Sequence, residues 1–350
     1  MTDVVPVLRT EERQQMTNIV IRSDEANAAA TALLLATRNH KVSLSGTALD
    51  PGHHTFRCLG EQRTATLHSL AELNPTGPKV AMVFAEGESA AAGIRNVLLD
   101  AAPELLVMIG GGITAVVEAT QTAAKLGFDA AKLLHIGGFL VGGNAEAVTA
   151  EKSSVVAGFL AAGTPPHVVY LALSTFPQLS LVPGPSVALS SVGALVHVPP
   201  MILNAMSVER GDDVRFYREG FGDSVGRLLT ALDEDRIRLG GALGLKLATA
   251  LELMDRTQGP LGMTGTTSRE KVNAFPSYEP IRLPATFRHR FLAHELQSTF
   301  APMLELAKLL NIDVPTIQSV VRIGEILIDD SLEAAARIAA EGFLTLVRGN

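Results

Sequence analysis

The chain of 350 residues contains no tryptophan, three tyrosines and a single cysteine. One cysteine, Cys58, rules out an intrachain disulfide and suits a reducing cytoplasm. Its surroundings read as a strand, where a lone thiol acts as a small filler. Basic runs interleaved with aromatics are missing and the net charge is −7, which argues against nucleic acid and anionic membrane as main partners. Residues 1–15 lack the basic-then-apolar form of a signal peptide. The nine histidines are scattered, and His53-His54 has no cysteine or carboxylate at ligand spacing, so no metal site is expected. Residues 185–206 are apolar enough for a membrane span. They carry His197, Pro199 and Pro200 with several Ser and Gly, which fits a buried helix entering a loop better.

What is present is a globular composition, 47% hydrophobic and 19% charged, long enough for two domains. Strands are expected at 17–21, 41–44, 54–58, 80–85, 105–109 and 133–136. Helices at 24–37, 67–73, 89–99 and 114–126 alternate with them. That alternation predicts an α/β fold with a Rossmann-like, doubly wound parallel sheet, closed by strands at 153–162 and 168–174. From Pro185 onward the pattern is mainly α-helical. Helices are read at 221–231, 234–250 (continuing the first after a break and ending over 251–254), 286–298, 300–310, 317–328 (capped by Thr316) and 332–340, with an extended segment at 273–284. The domains are therefore placed at 1–183 and 184–350. The apolar, Ala-rich helices of the second half could form a homodimer contact.

Glycine is missing where a nucleotide site most needs it. A dinucleotide-binding turn after the first strand carries Gly-x-Gly-x-x-Gly. Here it reads Ile21-Arg22-Ser23-Asp24-Glu25-Ala26-Asn27-Ala28. Ser23 reads as the helix cap, with Asp24 and Glu25 acting on the helix dipole, and these would satisfy the N–H groups a phosphate requires. The second strand ends Ser43-Leu44-Ser45-Gly46, with no acid to grip a ribose. Gly110-Gly111-Gly112 follows the strand at 105–109. It either lets the backbone approach a ligand or only makes a tight turn. Ser23, Asn27 and Gly110 to Gly112 are the candidate cofactor contacts.

Three blocks in the second half carry a resemblance. The first is His197-x-Pro199-Pro200-x-x-Leu203-Asn204-Ala205. The second is Phe216-Tyr217-x-Glu219-Gly220, followed by Ser224-Val225 and Leu232-Asp233. The third runs through Tyr278, Leu283-Pro284, His289-Arg290-Phe291-Leu292 and Val314-Pro315-Thr316. In order and spacing they resemble the NAD/NADP octopine/nopaline dehydrogenases, the opine dehydrogenases. The resemblance implies an oxidoreductase that condenses an amino acid with a 2-oxo acid and reduces the C=N bond with NAD(P)H. It puts His197 in the place of the catalytic histidine, and Glu295 where the family has an orienting aspartate. Arg290 matches a family arginine near the substrate, where a guanidinium could bind a carboxylate bidentately. Tyr217 and Asn204 join them as candidate substrate contacts, with junction packing and a helix cap as the alternatives. The glycine-free turn motivates a second reading. In it, a relative without bound NAD(P) uses the same cleft for acid–base chemistry such as cyclisation, condensation or isomerisation. A non-catalytic binding protein is the third.

Overall fold

A computed structural model describes residues 16–46, 49–73, 79–85 and 90–349. The leader reading of residues 1–15 and the helix start at Ser89 lie outside them. The strands are β1 (Asn18–Arg22), β2 (Lys41–Ser45), β3 (Gly52–Cys58), β4 (Glu61–Leu67), β5 (Lys79–Phe84), β6 (Leu105–Ile109), β7 (Leu133–Ile136), β8 (Val141–Gly143), β9 (Ala147–Glu151), β10 (Val155–Phe159) and β11 (Leu179–Leu181). They form one 11-stranded sheet in the order β11-β10-β7-β6-β5-β1-β2-β4-β3-β9-β8. The run from β7 through β6, β5, β1 and β2 to β4 is parallel, as the alternation predicts. Its central strands β5, β6 and β7 are buried along almost their whole length and mostly apolar, because both faces are covered. The chain reverses direction across the sheet between β1 and β5, the switch point at which such sheets bind ligands.

Helix α1 (Ala26–Thr37) explains its own composition. Ala28 to Leu35 are all buried, as in a helix that is apolar all round. One side packs on β1, β2 and β4, and the other is covered by the β8–β9 hairpin. The hairpin is tied down at both ends of the helix. Gly143 N donates to Asn27 Oδ1 at 3.0 Å, and the Arg38 guanidinium donates to both oxygens of Glu151 at 2.6 Å. Helices α2 (Ala90–Ala101) and α3 (Ile113–Lys125) cover the opposite face.

Several expected elements differ. Residues 61–67 are strand β4, paired with β3 in a hairpin, and only a short 3-10 turn, Leu70–Glu72, follows. The segment expected as a strand at 168–174 is helix α4 (Pro166–Thr175). Proline begins it, and its buried residues Val168, Leu171, Ala172 and Thr175 recur at helical spacing. Strands β8, β9 and β11 escaped notice because they are short or glycine-rich.

Beyond Leu181 no described residue lies in a named strand. The apolar run divides into α5 (Gly184–Ala188) and α6 (Val192–Leu203), and 67% of its most apolar window is buried inside the protein. Helix α7 (Ala205–Arg210) ends at Gly211 in the left-handed conformation. The expected break near residue 232 is absent, and α8 (Asp223–Ala242) runs through it. Helix α9 (Ala250–Thr257) opens on a Thr249/Glu252 capping box, and α10 (Ser268–Ala274) on a Thr267/Glu270 box.

The helix expected over 286–298 is not continuous. Thr286 Oγ1 accepts from Arg288 N, and His289 Nδ1 accepts from Phe291 N. These local side-chain bonds compete with a helical ladder. Helix then resumes as α11 (Ala293–Glu295), widens to a π-turn at Leu296–Phe300, and continues as α12 (Ala301–Leu310). Helix α13 (Pro315–Ile328) begins one residue before Thr316, so Thr316 is not its cap. The Asp235 carboxylate on α8 accepts from the backbone N–H of Thr316 and Ile317 instead. Helix α14 (Glu333–Gly349) packs on α3. One apolar core joins the α2/α3 face of the sheet to the helical half.

Candidate active site

His197 lies on α6, one turn after Gly193. Two successive prolines, Pro199 and Pro200, follow it, and their missing N–H groups free the carbonyls of Leu195 and Val196 from the helical ladder. The ring Nδ1 is 2.7 Å from Glu295 Oε1, and both side chains are about an eighth exposed, at 12% and 13%. Phe291 stacks on the imidazole with centroids 4.1 Å apart and planes within 15°. The carboxylate fixes Nδ1 as donor and leaves Nε2 for proton exchange. Glu295 is brought there by the irregular segment around the π-turn. Its N–H reaches back five residues to Arg290 O at 3.3 Å. Wide turns of this kind recur at functional sites.

His197 borders a cavity of about 400 Å³ between the two halves of the chain. The sheet side of its wall is Gly137 to Phe139, Gly142, Gly143, Thr149 and Lys152, together with Asn27 from α1. The helical side is Ser190 to Gly193, Tyr217, the end of α9 at Leu253, Thr257 and Gln258, then Ser277, Tyr278, Ile281, Arg290 and Phe291. Tyr217 stacks on Tyr278 at 3.8 Å. Their two segments are joined by Phe216 N to Ile281 O and Leu283 N to Val214 O, both 2.8 Å. Arg290 lies with its guanidinium carbon 5.4 Å from the Phe291 ring centre. Burial, with the Arg290 charge and then His197, holds His289 below the ordinary imidazole value.

The turn that leads into α6 is fixed from behind. Arg236 on α8 is fully buried and donates to Asp233, to Leu189 O at 3.0 Å and to Ala248 O at 2.6 Å. Asp233 also accepts from Ala250 N at the start of α9. This desolvated pair therefore sets where α5 ends and where α9 begins.

Of the sequence candidates, the structure gathers His197, Tyr217, Arg290 and Asn27 around the cavity, with Glu295 behind His197. Asn204 is elsewhere. Its amide donates to Pro200 O and Gly220 O at 2.8 and 2.9 Å, closing the end of α6, and it does not line the cavity. Ser23 does not line it either. Its N–H pairs with Ser45 O and its hydroxyl accepts from Glu25 N. Gly110, Gly111 and Gly112 do not line the cavity, and Gly111 and Gly112 are tightly packed. Gly110 and Gly111 adopt positive φ. A Cβ on Gly111 would lie 2.5 Å from that of Ala115, and one on Gly112 would lie 2.4 Å from Ser298 O. Sequence reasoning missed Lys152, Thr257, Gln258 and Ser277, which carry no local signal beyond polarity. Among the described residues no three His, Cys, Asp or Glu side chains are grouped to hold a metal.

A dinucleotide would lie beyond β1, against the start of α1. The expected Ser23 cap and first-turn acids do not form, because the helix begins at Ala26 without a side-chain cap or an acid in its first turn. Alongside it, a Cβ on Gly138 or Gly142 would meet nothing nearer than 3.7 or 3.5 Å, so bare backbone faces the cavity there. The residues at this end fit a phosphate-bearing cofactor, with Lys152 as the neighbouring cation.

Residues 185–328 match the family described as NAD/NADP octopine/nopaline dehydrogenase, alpha-helical domain. An opine dehydrogenase of Arthrobacter sp. (strain 1C) is 29% identical over 150 residues, 43% of this chain and 41% of that protein. Protein ocs of Agrobacterium tumefaciens (strain Ach5) is 25% identical over 154 residues, 43% of this chain and 42% of that one. The alignments thus span under half the length of these relatives. Octopine dehydrogenase in complex with NADH and agmatine shares the fold over 93% of this chain and 96% of its own, at TM-score 0.69 and 13% identity. NADP+-bound yersinopine dehydrogenase does so over 95% and 100%, at TM-score 0.66 and 13% identity. A Rossmann-like sheet followed by a helical domain is common to all three folds, and residues 185–328 make the helical half of this chain similar to the alpha-helical domain of the NAD/NADP octopine/nopaline dehydrogenases.

Proposed function

We propose that the chain is an opine-type oxidoreductase that joins an amino acid to a 2-oxo acid and reduces the resulting C=N bond with NAD(P)H. The observation that carries this reading is the His197–Glu295 pair at 2.7 Å beside a cavity that also holds Arg290. Residues 1–183 take the cofactor, with Asn27, Gly138, Gly142, Lys152 and the start of α1 around its phosphates. Residues 184–350 take the substrates. When bound, the nicotinamide supplies the hydride that reduces the C=N carbon.

The chain's own groups handle carboxylates and protons. Arg290 pairs with the carboxylate of the oxo acid through its planar fork. His197 Nε2 takes a proton from the substrate ammonium, which frees the amine lone pair to attack the oxo carbon. It returns that proton to the carbinolamine oxygen, which leaves as water. Glu295 holds the Nδ1–H tautomer and stabilises the imidazolium formed between the two transfers. Tyr217, Tyr278 and Phe291 form an apolar wall that keeps water from the C=N bond.

The test is nucleotide fluorescence followed by turnover. The reading predicts saturable binding of NADH or NADPH, and oxidation that requires both an amino acid and a 2-oxo acid. His197→Ala should lower kcat by ~10²–10⁴-fold. The glycine-free turn after β1 favours the non-redox alternative. Failure of both nucleotides to bind at millimolar concentration, with acid–base turnover retained, would establish that alternative in place of the reductase.

A further inference from the structure

His289 stands in the third of the sequence blocks and takes no part in the proton transfers assigned to His197. It is partly buried and does not line the cavity. Its hydrogen bonds show what it holds. The ring Nδ1 accepts from Phe291 N at 3.2 Å. Its carbonyl oxygen accepts from Leu292 N and from Ala293 N, both at 3.0 Å. One residue therefore takes the three successive N–H groups that lead into α11. A helix cap works in this manner, with a side-chain and a main-chain acceptor serving the first turn together. The ring also meets Phe291 edge-on, with centroids 4.7 Å apart and planes at 84°. Burial, with the Arg290 charge and then His197, keeps the imidazole neutral at pH 7, so Nδ1 retains the lone pair this bond needs.

Both groups that hold the His197 ring ride on the segment so capped. Phe291 stacks on its face at 4.1 Å, and Glu295 meets its Nδ1 at 2.7 Å. We propose that His289 is a positioning residue for His197: by capping the turn from Arg290 to Ala293 it fixes the Phe291 ring against the imidazole and the Glu295 carboxylate at Nδ1. The effect on turnover rests on the reductase reading; the placement of the imidazole does not. A leucine at this position leaves the carbonyl bonds possible but takes the acceptor from the Phe291 N–H. The turn is then free to relax, and the imidazole loses both the face contact and the carboxylate that sets its tautomer. Asparagine restores an acceptor, because its side chain commonly bonds the backbone two residues on.

The experiment compares H289L with H289N in the full chain, at a temperature where denaturation curves show both folded. NMR with histidine-selective labelling reports the His197 ring, and His197→Ala identifies its signals. The Phe291 face should shield the carbon-bound ring protons, and the Glu295 carboxylate should hold a downfield Nδ1–H. Wild type and H289N should show both signatures, and H289L neither. In turnover, kcat should fall ~10–100-fold in H289L and stay within ~3-fold of wild type in H289N. Nucleotide binding should be unchanged in both. H289F, which keeps a ring against Phe291 without the acceptor, takes the place of H289L if that variant unfolds. Unchanged His197 signatures in the acceptor-free variant overturn the proposal, as do signatures missing from the wild type. So does an H289N protein as impaired as H289L. Signatures that follow the prediction in a protein without reductase turnover uphold the positioning role and count against the reductase reading alone.

Discussion

Glu295 carries one methylene more than the aspartate that the resemblance places beside the catalytic histidine, and it still meets His197 at 2.7 Å. The irregular turn from Arg290 through the π-turn carries the longer side chain to this position. Glu295→Asp should therefore not restore the family geometry. It is expected to lower kcat ~10–100-fold, the usual cost of removing a partner that orients a functional imidazole. The KM for the oxo acid should change little, because the proposed mechanism assigns that contact to Arg290; a change in KM alone would contradict this role. His197, Glu295 and Arg290 were legible in the sequence only through the order of the family blocks, because a histidine in an apolar segment looks like a core residue. Asn204 belonged to the same block and turned out to close a helix end. Pattern alone does not separate an amide that binds substrate from one that binds backbone carbonyls.

At the level of elements, the long periodic or apolar segments were readable: β1, β2, β5, β6, β7, α1, α3 and α13 lie close to where the pattern placed them. The misreadings share a physical cause. An apolar run as short as α4 fits either period until its buried face is known. The segment 286–298 has helical composition, but side-chain bonds from Thr286 and His289 divert it. The glycines after β6 fit either a ligand approach or a tight turn by pattern, and the π-turn packed against Gly112 accounts for that one. Gly112→Ala would set a methyl 2.4 Å from both Ser298 O and Thr299 Oγ1. It should destabilise the protein by about 1–3 kcal/mol, the usual cost of overpacking. Chemical denaturation measures this. A stable G112A protein with weakened NADH binding would return this glycine to the cofactor.

Across the whole molecule, one core joins the α2/α3 face of the sheet to the helical half. Sequence periodicity showed two kinds of secondary structure but not that they share an interior. The sheet hides one titratable group whose effect is global. His135 on β7 is fully buried, its Nε2 lies 3.0 Å from Gly110 O, and its Nδ1 has no hydrogen-bond partner among the described residues. Burial pushes its pKa down to about 4, against 6.5 when exposed. Below pH 6.5 the unfolded chain takes up a proton at this position and the folded one does not. Stability should then fall as the pH drops from 6.5 to about 4, by about 3 kcal/mol at the lower limit. His135→Leu should lose less over that range by a similar amount in urea titrations at each pH. Parallel curves for the two proteins would contradict the assignment.

The central claim is that His197, held by Glu295, moves the protons of a reductive condensation in the cavity between the two halves. It is tested most directly by NADH and NADPH oxidation with pyruvate and an amino acid, comparing wild type with His197→Ala. The account predicts turnover that needs both organic substrates and falls by ~10²–10⁴-fold in the variant, with nucleotide binding retained. Turnover in the variant within ~10-fold of wild type would contradict it.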